Sequence, residues 1–152
     1  MPTLNLKIAP PRSPERYQSL ARALTAITAD TLGKRPEVTA VMVDELPAER
    51  WHVGSRSVPG HTALLEISIT AGTNTAAQKA AFIDAAFAEL QRQLAPGEAL
   101  EEASYVIVRE VTASDWGYGG RTQLARQLDR QRGPGQNEAG AGGALGSSSH
   151  QR

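Results

Sequence analysis

The chain has 152 residues, 40% of them hydrophobic and 5% aromatic, with 16 Lys and Arg against 16 Asp and Glu, three histidines and no cysteine. That length and apolar content suit one domain with a single core, and a zero formal charge removes the electrostatic reason to expect nucleic acid or an anionic membrane as partner. The absence of cysteine excludes disulfides, thiolate nucleophiles and zinc-thiolate sites, and His52, His61 and His150 are too scattered for a metal cage, so neither metal nor cofactor is expected.

Thr3 to Ile8 alternates, with Leu4, Leu6 and Ile8 on one side and Asn5 and Lys7 on the other, which predicts a half-buried strand. Pro10 and Pro11 break it. Ser13 and Pro14 read as the N-cap and first residue of a helix whose stripe is Tyr17, Leu20, Ala21, Leu24, Ile27 and Leu32, with Gly33 as its C-cap. An extended run from Thr39 to Asp44 follows, then Trp51-His52-Val53-Gly54. The order then returns. Ala63 to Thr70 is extended, Thr75 caps a helix carrying Ile83, Phe87, Leu90 and Leu94, Pro96-Gly97 ends it, and Tyr105 to Arg109 is a fourth strand before Trp116-Gly117-Tyr118-Gly119-Gly120.

The second half repeats the first. Val41, Val43, Glu45, Ala48, Trp51 and Gly54 recur as Val106, Val108, Glu110, Ala113, Trp116 and Gly119, while Leu4, Leu6 and Ile8 match Leu65, Ile67 and Ile69 at a slightly shorter offset. The extra residues are expected in the second helix and the loop after it. The predicted domain thus holds a first β-α-β repeat over 2–54, a linker over 55–62 and a second repeat over 63–130. Residues 131–152, rich in Gly, Ser and Ala with Leu145 as their one large apolar side chain, read as a disordered tail. Each βαβ crossover makes its two strands parallel, so the fold class is α+β: a four-stranded mixed sheet with two helices on one face. Leu64 and Val41 are expected on the other face, whose apolar content calls for subunit packing. No apolar run reaches the ~20 residues of a membrane span, and no export signal is readable at the start, so a cytoplasmic protein is expected.

A strand opening with Met-Pro, an Arg ten residues after the Pro, a helix, then V-x-V-x-E and a Trp-x-x-Gly turn, with the strand, helix, V-x-V-x-E and Trp-x-x-Gly pattern duplicated, resembles the tautomerase superfamily. Within it the chain is most similar to fused, tandem 4-oxalocrotonate tautomerase-like proteins of MIF-like fold. The resemblance covers about residues 2–125. It implies removal of Met1, Pro2 as catalytic base, Arg12 as the substrate-carboxylate arginine, Trp51 or Trp116 as the aromatic wall of the pocket, and a homotrimer.

The chemistry is coherent. A secondary α-amine titrates near ~8 in water, and both an apolar pocket and a neighbouring arginine lower that value. A base near neutral suits keto–enol proton transfer, and a guanidinium fork grips a carboxylate in a bidentate manner. The second arginine of single-repeat relatives, just before V-x-V-x-E, is replaced here by Ala40 and Tyr105. Tyr105 can offer a hydrogen bond, and Arg109, of the same strand parity, is a candidate second cation. In the second repeat Ala63 matches Pro2 and Thr73 matches Arg12, so one site per chain is expected. Glu45 and Glu110 read as structural residues at strand ends, and His52 and His61 as ordinary polar residues near the linker.

The expected function is a cofactor-independent tautomerase acting on a 2-hydroxy-2-alkenoate or enolpyruvate-like acid. Two alternatives stand beside it. One is a hydratase, dehalogenase or decarboxylase of a small unsaturated or 3-oxo acid using protonated Pro2; against it, residues 70–74 hold no arginine where those branches of the family carry a pair, and Val38 stands where the decarboxylase has an acid, though Glu37 is adjacent. The other is a trimeric binding or scaffold protein with weak chemistry.

Overall fold

The computed structural model describes residues 1–133. Two compact units divide the chain between Thr112 and Ala113. The first unit holds the sheet, built from β1 (Thr3–Ala9), β2 (Ala40–Glu45), β5 (Thr62–Thr70) and β6 (Tyr105–Val111) in the order β2-β1-β5-β6. β1 runs parallel to β2 and β5 parallel to β6, while β1 and β5 pair antiparallel at the centre. The two repeats are therefore joined head to tail.

α1 (Pro14–Leu32) and α2 (Ala76–Leu94) start and stop where their caps dictate. Ser13 accepts from Arg16 N, Gly33 takes φ 67° and returns its N–H to Ala29 O, and Thr75 and Gln78 exchange both bonds of a capping box. Both helices have 19 residues. The second repeat's extra residues lie instead in the loops: one more between strand and helix (71–75 against 10–13) and three more between helix and strand (95–104 against 33–39).

Leu4, Leu6, Ile8, Leu65, Ile67 and Ile69 face the helices and close the core with Leu20, Leu24, Phe82 and Leu90. Two expected faces are corrected. Val41 pairs in register with Leu4 and packs against that same core, so it lies on the helix side; the other face carries Met42, Leu64, Tyr105 and Ile107 among Asn5, Lys7, Asp44, Glu66, Ser68 and Arg109. On α2 the buried stripe is Phe82, Ala86, Leu90, Gln93 and Leu94, which leaves Ile83 and Phe87 39% and 38% exposed.

The strand-end glutamates each reach the first turn of their own repeat's helix. Glu45 accepts from the Tyr17 hydroxyl, and Glu110 pairs with Lys79 at 3.2 Å. Burial, and then the bond to Glu45, holds the Tyr17 phenol above its ordinary pKa. Tyr17 also accepts from Arg12 N at 2.7 Å, so Tyr17→Phe should cost about 1 kcal/mol in denaturant unfolding. An unchanged midpoint would show the tie to be slack.

A two-residue-per-strand hairpin, β3 (His52–Val53) with β4 (Arg56–Ser57), spans the end of the first repeat and the start of the linker. Its repeat counterpart, β7 (Gly117–Tyr118) with β8 (Arg121–Thr122), opens the second unit. Gly117 is required there, because a Cβ would sit 2.0 Å from Arg121 O. Thr122 then caps α3 (Gln123–Arg132), a helix the sequence reading did not anticipate and one that extends into the segment assigned to the tail. Arg126 lies over the Tyr118 ring at 3.8 Å, and Leu124 and Leu128 are exposed. The rest of the expected tail, 134–152, lies outside the described residues.

Candidate active site

The antiparallel pairing of β1 with β5 makes both ends of the sheet from pieces of both repeats. At one end the start of β1 meets the end of β5, since Thr3 pairs with Ser68. Pro2 stands there, buried, its carbonyl accepting from Ala40 N at 3.1 Å, and Asn74 ties the second repeat's loop to the end of α1 by donating to Leu32 O at 2.9 Å. At the other end, Ala9 pairs with Thr62, and Arg12 ties the first repeat's loop to the end of α2 by donating to Leu94 O at 2.8 Å. Arg12 and Asn74 are thus counterparts when counted back from the helix caps.

Within one chain the predicted pair of Pro2 and Arg12 is therefore split. The seven residues of β1 lie between them, roughly 24 Å of extended chain. Sequence proximity across a strand places residues at its opposite ends, which is the physical reason. The Arg12 guanidinium is also largely committed: it donates to Pro10 O, to Leu94 O and, at 2.5 Å, to His61 Nδ1. Burial lowers its pKa from the ordinary arginine value, Tyr17 offsetting part of this and Arg16 adding to it. A guanidinium has no acceptor, so His61 must receive at Nδ1, which leaves Nε2–H for Glu98 Oε2 at 3.1 Å. These groups, with Arg16, Gln93 and Leu94, line a cavity of about 410 Å³. His61, expected to be an ordinary linker residue, is thus one of its organising groups; its position just before the strand that matches β1 was the available signal.

The other candidates are spread out. Tyr105 begins β6 at the Arg12 end, on the face away from the helices, 60% exposed. Arg109 lies on that same face in the row of Ser68 and Thr3, bonded to Glu66 at 2.9 Å. Trp51, half-buried, follows a short 3-10 turn (Ala48–Arg50) after β2 has left the sheet at the end opposite Pro2. Trp116 belongs to the second unit, where it borders a cavity of about 300 Å³ with Asp115, Gly120 and Arg121; its indole N–H is buried without a partner among the described residues. No group of three or more His, Asp or Glu that could hold a metal, and no helix long and apolar enough to cross a membrane, occurs among the described residues.

Residues 2–59 match the family model of the tautomerase enzyme. The probable tautomerase K2 of Dickeya dadantii (strain 3937) is 36% identical over 59 residues, which are 38% of this chain and 88% of that protein. Among solved structures, the F6 fused 4-OT wild type asymmetric trimer is 27% identical with a TM-score of 0.73, covering 82% of this chain and 98% of that one. The crystal structure of native fused 4-OT is 28% identical with a TM-score of 0.72, covering 81% and 97%.

Proposed function

The chain belongs to the tautomerase family, and on that premise we propose that it moves a proton between the enol oxygen and carbon of a small 2-hydroxy-2-alkenoate or enolpyruvate-like acid, with the Pro2 amine, freed by loss of Met1, as base. The observation that carries this reading is the burial of Pro2 at an end of the sheet assembled from both repeats. Once Met1 is lost, an amine still shielded from water at that place disfavours its ammonium form and stays available to accept a proton. The amine takes the enol O–H proton and returns a proton to carbon, so the keto acid forms with atoms balanced and the base restored. Arg12 of the same chain braces the opposite end and is too far along β1 to grip an acid seated against Pro2.

Mature protein, shown by intact mass to lack Met1, should accelerate ketonisation of a 2-hydroxy-2,4-dienoate, followed by loss of dienol absorbance. In D2O it should place deuterium on the protonated carbon. No acceleration over buffer across a panel of such acids sinks the reading.

The same proposal includes a homotrimer, as in the fused 4-OT relative. Supporting it, apolar grooves flank both edge strands. One is lined by Ala21, Thr25, Ala29, Pro36 and Val41 beside β2, the other by Ala80, Ile83, Phe87, Tyr105 and Val106 beside β6. Apolar surface of this kind is ordinarily covered by a partner. Light scattering at micromolar concentration should give three times the chain mass, and a monodisperse monomer contradicts the trimer.

A further inference from the structure

The Pro2 end of the sheet carries a cation that the sequence reading passed over. Lys34 directly follows the Gly33 cap of α1, and its Nζ donates to Thr73 Oγ1 at 2.9 Å. Thr73 donates in turn to Thr70 O at 2.7 Å, which turns a lone pair toward the ammonium. Thr73 is the residue matched to Arg12 when the repeats are aligned on their first strands, so the ammonium sits where the second repeat has no arginine. Lys34 is half-buried, and among the described residues no carboxylate stands within ion-pair distance of it. An ammonium has three N–H donors, and Thr73 takes one. Burial holds this lysine below its usual pKa range.

Neighbouring cations are less suited. Arg35 is exposed and paired with Glu37 at 2.8 Å. Arg109 is paired with Glu66 on the sheet face away from the helices, whereas Lys34 and Thr73 belong to segments on the helix side.

We infer that Lys34 binds the substrate's carboxylate beside Pro2, with Thr73 as its positioning residue. The inference rests on the reading of Pro2 as base. It also narrows the substrate class. A lysine is a point charge without the planar fork of arginine, so it holds a carboxylate by charge and leaves its plane loosely fixed. The site therefore suits compact acids whose single carboxylate lies next to the reacting enol, and it gains nothing from Lys34 with the corresponding neutral ester.

The experiment compares wild type with Lys34→Met and Lys34→Arg, each first shown folded by circular dichroism, with Lys34→Gln replacing Lys34→Met if the latter misfolds. On a 2-hydroxy-2-alkenoate, Lys34→Met should raise KM roughly ten- to a hundredfold, with kcat changed far less, and Lys34→Arg should restore most of the loss. On the methyl ester of the same acid, wild type and Lys34→Met should be alike. An unchanged KM in Lys34→Met, or an equal loss on acid and ester, overturns the assignment while leaving the Pro2 reading intact. If wild type shows no Pro2-dependent turnover, the Pro2 reading has failed, and calorimetric binding of 2-oxobutanoate decides for Lys34. Binding lost in Lys34→Met and kept in Lys34→Arg supports it; binding that is absent in wild type or equal in all variants overturns it.

Discussion

A chain that keeps Met1 should lose about 10²–10⁴-fold in kcat, because the Pro2 nitrogen then belongs to an amide and has no basicity. Pro2→Ala, processed to a free N-terminus, should lose less, about tenfold, since a primary amine remains at the same place without the ring that fixes its direction. KM should move little in either case, the carboxylate being held elsewhere. The pH dependence has a definite sign. With Pro2 as the proposed base the neutral amine is the active form, so kcat/KM should fall as pH drops through its pKa, expected below the free value of about 8 if the site keeps water from the ammonium. The measurement is the rate on an enol acid against the Met-retained fraction by intact mass. Undiminished turnover by fully Met-retained protein would exclude Pro2 as base.

The largest loss of stability is expected from Phe82→Ala, about 3–5 kcal/mol. Phe82 is fully buried and lies in the core between α2 and the sheet, so truncation removes its transfer energy and leaves a cavity. Phe82→Leu, which keeps most of the volume, should cost about 1.5 kcal/mol or less. Denaturant midpoints at one fixed protein concentration check both, since assembly would add a concentration-dependent contribution. A Phe82→Ala midpoint within 1 kcal/mol of wild type would mean that α2 presents another face to the sheet.

That face shows where pattern reading fails. Ile83 and Phe87 are the conspicuous apolar residues of α2, yet Ala86 and Gln93 share the buried stripe with Phe82 and Leu90. A small residue and an amide carry no hydrophobic signal, so the visible stripe is rotated by one residue. The caps were legible because Ser13, Gly33 and Thr75 act through their own neighbours. The strands and the duplication were legible through alternation and repeated spacing. α3 was not, since Gln123 is its buried residue and Leu124 and Leu128 are exposed. The division of Pro2 from Arg12 was within reach of the sequence, since the predicted first strand lies between them; what no local window contains is which loop meets the Pro2 end, because that depends on how β5 pairs with β1.

The crossed ownership of the two ends, with Asn74 reaching Leu32 O and Arg12 reaching Leu94 O, bears on how such a duplicated chain can diverge. A substitution in the loop of the second repeat falls at the end of the sheet that holds Pro2, and one in the loop of the first repeat at the end that holds Ala63. With Pro2 as the proposed base, selection on catalysis would act on β1, on the end of α1 and on residues 71–75, and would leave the loop of Arg12 free for bracing through its bonds to Pro10, His61 and Leu94. Superposing one half on the other matches residues that lie at different ends, so on the proposed reading the asymmetry between the copies would be a division of labour along the strand axis.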